Sequence, residues 1–183
     1  YISGGNGSTY YLAVQGKLPK EINHLRIGGQ HIFGIEYVEG KYLDGYFHSD
    51  KDVALFASDA YLFKAEVLEA ANKPTVPVGI LTVDAFMKEK TFEDLGICKT
   101  AVLGFGLQEV PYENLHPTVP DIRLLGQTSN HTMIVAEKES LKMQGKGMAP
   151  ASFGVGDIIT FEVDYTALMH LCNAPNVEKS YLP

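Results

Sequence analysis

Ser3-Gly4-Gly5-Asn6-Gly7-Ser8-Thr9 and Leu25-Arg26-Ile27-Gly28-Gly29 stand about twenty residues apart near the start of the chain. Glycine lets a backbone turn tightly and approach an anion closely. Exposed N–H groups in such turns form an anion-binding concavity. Arg26 adds a fixed positive fork beside the second turn. Two glycine turns and one arginine therefore predict a site for a phosphorylated ligand.

The flanking residues repeat one plan. Residues 1–9 read as a short strand running into a turn, and Thr9–Val14 as a helix with Ser8 or Thr9 as its N-cap. His24–Ile27 reads as a second strand ending at Gly28-Gly29, with Gln30–Ile35 opening a second short helix or turn. Strand, turn and helix in alternation predict the last βα units of an α/β barrel. In such barrels phosphate is often held by the last two βα loops, at the C-terminal ends of the strands.

From about Ala54 the texture changes. Ala60–Ala70, Val76–Val83, Lys99–Phe105 and Ile158–Val163 read as strands, and Ile122–Gly126 pairs with His131–Ala136 around a Gln-Thr-Ser-Asn turn. Only Tyr165–Cys172 reads as helix. Several short strands with turn signals predict a small β barrel or sandwich.

Composition bounds the rest. The chain has 183 residues, 45% of them hydrophobic, enough for a sizeable core. Its net charge of −7 argues against nucleic acid as the main partner. No run of eighteen apolar residues is present, so no membrane partner is expected. Arginine is scarce: Arg26 and Arg123 are the only two. Cys98 and Cys172 lie far apart with no CxxC, which fits reduced thiols in a cytoplasmic protein. The histidines show no metal-ligand spacing, so no metal site is expected. The chain opens on Tyr1 without Met, in what reads as the end of a strand, so it is expected to be part of a longer protein.

Six strings then occur in order: Ser-Gly-Gly-Asn-Gly-Ser, Ile-Asn-His-Leu-Arg-Ile-Gly-Gly, Val-Pro-Val-Gly, Asp84-Ala85-Phe86, Phe92-Glu93-Asp94-Leu95-Gly96-Ile97 and Val155-Gly156-Asp157. Together they resemble the C-terminal half of alanine racemase-like (fold-type III) amino-acid racemases, the ornithine racemase type in particular. The resemblance implies α/β plus β architecture. Residues 1–53 would be the truncated C-terminal end of an α/β barrel that binds pyridoxal 5′-phosphate (PLP), and 54–183 a C-terminal β domain. It implies a homodimer with head-to-tail site sharing and a small amino acid as substrate, for instance ornithine.

The implied activity is racemisation by two-base removal and return of the α-proton. One base in relatives is the Schiff-base lysine of the first barrel strand, which this chain does not contain, so the chain alone is expected to be inactive. The other is often a tyrosine of the partner's β domain. Val83-Asp84-Ala85-Phe86 occupies that place here, making Asp84 the first catalytic candidate and His131, in Ser129-Asn130-His131, the second. For the cofactor, the resemblance points to Asn6, Gly7 and Ser8, to Gly28 and Gly29, and to Tyr165 (or its neighbour Thr166) around the phosphate.

Arg26 matches the arginine that bonds the pyridine nitrogen. A guanidinium cannot accept a proton, so that nitrogen stays an acceptor and draws electrons weakly. Return of the proton to Cα then competes well with side reactions. The competing readings are a non-catalytic PLP-binding or regulatory protein on the same scaffold, and a β-domain interaction module with no ligand.

Overall fold

The computed structural model describes residues 1–33, 37–38, 41–42, 60–79, 83, 87, 89, 91–119, 121–136 and 152–181. The chain divides into two compact units, Tyr1–Tyr61 and Leu62–Pro183.

The first unit is built on two extended segments lying in parallel. Ser3 bridges His24, Gly4 N–H donates to His24 O at 2.9 Å, and Arg26 N–H donates to Gly5 O at 2.9 Å. Each segment runs into a glycine turn and then a short helix, α1 (Tyr10–Val14) and α2 (Gly29–Phe33). A 3-10 turn, Gly7–Thr9, precedes α1. Its N-cap is Asn6, where the sequence suggested Ser8 or Thr9. The Asn6 side chain accepts from Ser8 N–H, and an earlier cap won because the turn tightens before the helix begins. A small antiparallel ribbon follows, β1 (Tyr37–Val38) with β2 (Lys41–Tyr42). Phe33 is buried and meets Tyr61 at 5.8 Å between ring centroids.

The second unit is an antiparallel sheet of six strands: β3 (Leu62–Pro74), β4 (Ile97–Leu103), β5 (Leu115–Pro117), β6 (Ile122–Gln127), β7 (Thr132–Ala136) and β8 (Ile158–Val163). Their order is β5-β8-β3-β4-β7-β6. The first half of β3 alternates strictly, burying Phe63, Ala65 and Val67 and exposing Leu62, Lys64 and Glu66. Phe63 and Phe161 of β8 pack with Phe105, just past β4; Phe63 and Phe105 meet edge-to-face at 4.9 Å. All three rings are buried, each contributing roughly 1.5–3 kcal/mol of transfer free energy.

The sheet curls until its two edges meet, which makes a nearly closed β barrel as the sequence texture predicts. The contact is polar. Gln127, at the end of edge strand β6, donates through Nε2 to Val110 O at 2.9 Å and accepts from Tyr112 N–H at 3.3 Å, just ahead of edge strand β5. Gln127 Nε2 also donates to Thr132 Oγ1, which itself donates to Phe105 O at 3.0 Å. Gln127 and Thr132 are both buried, so each of these groups has exchanged water for a protein partner. Thr132→Val keeps the shape but strands two of them. It is expected to cost about 2 kcal/mol, read as a lower urea midpoint at unchanged slope.

Helix α3 (Tyr165–Asn173) follows β8. Asp164 caps it, accepting from Ala167 N–H at 2.8 Å and from Asn114 Nδ2 at 2.6 Å. Ala167 and Leu171, one turn apart, form its buried face. Of the expected strand Val76–Val83, the described residues 76–79 and 83 form no strand. Residues 75–79 bend, and Val83 makes only an isolated bridge to Glu89. Pro77 lacks an N–H and Gly79 has φ +118°, so turn chemistry overrides the β-branched residues here. No helix among the described residues is long and apolar enough to cross a membrane.

Candidate cofactor site

The parallel pairing in the first unit places the two glycine turns side by side. The Arg26 backbone bonds Gly5, and its guanidinium Nη1 donates to Ser3 Oγ at 3.2 Å. Asn6, Gly7, Ser8, Arg26, Gly28 and Gly29 therefore stand on two adjacent segments that leave the same end of one parallel pair. In a parallel α/β arrangement that end is where ligands bind.

The first turn is locked by its own side chains. Asn6 Oδ1 accepts from Ser8 N–H at 3.0 Å and from Ser8 Oγ at 2.8 Å. Thr9 Oγ1 reaches Asn6 O at 2.9 Å and Gly4 O at 3.2 Å. The Ser8 hydroxyl proton is thus directed at Asn6. It would have to rotate to serve a phosphate. The Asn6 amide NH2 has no partner among the described residues and is the more available donor.

The glycines differ in why they are there. Gly5 sits at φ +114°, which a side chain rarely adopts. A Cβ on Gly4 would lie 2.5 Å from Ile22 Cγ2. Gly28 has neither constraint: its φ is not positive, and a Cβ there would meet nothing within 4 Å. Gly28 stands just ahead of α2, its carbonyl accepting from Ile32 N–H at 3.1 Å, a capping position that favours glycine without requiring it. A ligand pressed against the backbone would require it, and residues 26–29 leave room for a phosphorylated ring compound there.

Charge points the same way. Arg26 is exposed and makes no ion pair among the described residues. The other arginine, Arg123, pairs with Glu93 at 2.8 Å in the second unit. The scarcity of arginine in this chain thus resolves into one structural residue and one uncompensated cation beside the glycine turns.

The remaining candidates belong to the second unit. His131 is half-buried at the turn between β6 and β7, where its N–H donates to Thr128 Oγ1 at 3.1 Å and its carbonyl accepts from Thr128 N–H at 2.8 Å. Tyr165 is exposed in the first turn of α3, next to the Asp164 cap. Asp84 lies outside the described residues.

Sequence reading singled out neither Ser3 nor Asn114 as a site residue. Ser3 contacts Arg26 only because of the parallel register, and Asn114 reaches the Asp164 cap across fifty residues. No local spacing signals either contact.

No family model matches the chain. An ornithine racemase of Acetoanaerobium sticklandii is 32% identical over 99% of the chain, and a lysine racemase of Thermotoga maritima is 30% identical over all of it. The chain covers 46% of each of those proteins, so it spans about half the length of the curated relatives it matches. Among solved structures, a D-threonine aldolase from Filomicrobium marinum superposes with a TM-score of 0.43 at 15% identity, over 92% of this chain and 33% of that one. That likeness is too loose to bear on fold or function. From end to end, then, the chain is similar in sequence to amino-acid racemases of the ornithine and lysine racemase kind.

Proposed function

We propose that the protein containing this chain is a PLP-dependent amino-acid racemase, and that residues 1–53 are the end of the α/β barrel that holds its cofactor. One observation carries the reading: two glycine turns and an arginine with no ion pair among the described residues emerge side by side from a parallel pair. The names of both relatives support an amino acid with a second amine at the end of its side chain. Sharing of the site between two subunits, head to tail, belongs to the same proposal, as does the reading of residues 54–183 as the C-terminal β domain.

When bound, PLP supplies an electron sink that acidifies the Cα–H of the amino acid joined to it. This chain's residues do the rest. Arg26 would donate N–H to the ring nitrogen and, being unable to accept a proton, would leave that nitrogen an unprotonated acceptor. The backbone at Gly28 and Gly29, with Asn6, Gly7 and Ser8, offers hydrogen-bond donors to the phosphate. Tyr165 is proposed as a further phosphate donor through its hydroxyl. Asp84 and His131 are the candidates to hold or return the α-proton.

The test uses the full-length protein. Gly28→Val fills the open space over the second turn. It is expected to weaken PLP binding at least tenfold, while the loss of helix-capping propensity costs only about 1 kcal/mol of stability. Arg26→Ala is expected to retain the absorbance of bound cofactor yet lose turnover by about a hundredfold. Unchanged binding in the first variant, or unchanged turnover in the second, rejects the assignment. Bound cofactor without racemisation of ornithine, lysine or any other amino acid would favour the non-catalytic reading.

A further inference from the structure

We infer that Ser3 is a positioning residue for Arg26, and that it aims the guanidinium without neutralising it. The inference rests on the cofactor reading above for its purpose, but not for its geometry.

Arginine has a long side chain with many rotamers and holds one direction only when something fixes it. Arg26 is exposed, so packing does not fix it. Among the described residues its side chain has one partner, the Ser3 hydroxyl at 3.2 Å. Ser3 is itself well fixed. It bridges His24, and the residues on either side of it bond the opposite segment, Ile2 through Asn23 and Gly4 through His24. The anchor and the cation thus sit on different segments of one parallel pair, 23 residues apart.

The chemistry of the anchor matters. A carboxylate in the same place would grip a guanidinium more strongly, through charge-assisted bonds. It would also cancel the positive charge that the site offers a ligand. A hydroxyl holds one N–H and leaves the others, with the full charge, to face outward. Ser3 therefore separates two properties that an acidic partner would trade against each other: direction and charge.

Two arms test this. In the ¹⁵N-arginine-labelled full-length protein the Arg26 Nε–Hε signal is assigned by its loss in Arg26→Lys, and the other arginine signals, that of Arg123 among them, are the control for folding. Ser3→Ala is expected to shift the Arg26 signal and speed its solvent exchange while Arg123 stays put; Ser3→Thr is expected to restore both. In the full-length protein, Ser3→Asp is expected to keep Arg26 held and PLP bound but lower turnover about tenfold, since a charged partner now competes for the guanidinium.

An Arg26 signal indifferent to Ser3→Ala, with Arg123 in its native position, overturns the positioning role. Wild-type turnover in Ser3→Asp overturns the need for a neutral anchor. If the wild-type protein binds no PLP while the Arg26 signal still follows Ser3, the positioning role stands and the cofactor reading alone falls.

Discussion

Phe161→Ala is expected to cost about 4 kcal/mol, since Phe161 is the largest fully buried side chain among the described residues. Phe161 has no exposed surface and stands between Phe63 and Phe105, at 6.2 and 5.9 Å between centroids. Those rings come from β3 and from the segment after β4, while Phe161 comes from β8. Removing its ring leaves a cavity at the point where three distant pieces of chain meet. The neighbours hang on hydrogen-bonded strands and cannot collapse far into it. Thermal unfolding should shift downward by on the order of 15 °C. Phe161→Leu refills most of the volume and should recover more than half of the loss. A shift of only a few degrees in Phe161→Ala would mean that the barrel interior is loosely packed.

Gly106→Ala is expected to be nearly as damaging, at about 3 kcal/mol, for an added volume of one methyl group. A Cβ at 106 would lie 2.3 Å from Asn130 N and 2.4 Å from Ser129 C. Both are backbone atoms, and no rotamer change relieves the clash. The two loops are also stitched together, with Leu107 N–H donating to Thr128 O and Gln108 N–H to Ser129 O, each at 3.0 Å. The methyl group must push the 128–131 turn away and break those bonds. His131 lies on that turn, so the same variant moves a catalytic candidate without touching it. Calorimetry of Gly106→Ala measures the cost, and the His131 ring signals in an NMR spectrum report the displacement. Native stability together with unmoved ring signals would show that the two loops separate freely.

The strands were legible where one face is uniformly apolar. β8 and the β6–β7 pair lie where the Val, Ile and turn residues put them. β3 reads less cleanly, because its outward face mixes Leu62 and Leu68 with Lys64 and Glu66. The regular face, Phe63-Ala65-Val67, is the one that packs. Three-residue β5 has no signature, since His116 and Pro117 suggest a loop and only pairing with β8 makes a strand of them. Gln127 reads as the first residue of a polar turn and Thr132 as a residue of the strand after it. Their burial follows from barrel closure, which no local pattern encodes.

For the candidate site, the glycine turns and Arg26 stand out because their residue types are unusual for this chain. Their adjacency depends on parallel pairing across the intervening helix and loop, and sequence alone supplies only the expectation of it. The interplay of Asn6 with Ser8 was the hardest to foresee. The same two residues read equally well as ligand donors or as a self-satisfied turn.

The division of labour along β3 has a consequence for synthesis. Leu62–Glu66 pair with β8, whereas Val67–Pro74 pair with β4, the changeover falling at the irregularity between Val67 and Glu69. On the ribosome the second stretch finds its neighbour within a few dozen residues. The first waits until Ile158–Val163 have left the exit tunnel, and until then it presents a bare, half-apolar edge to any other nascent chain. Ribosome-bound intermediates stalled before Ile158 are therefore the ones that should demand a chaperone.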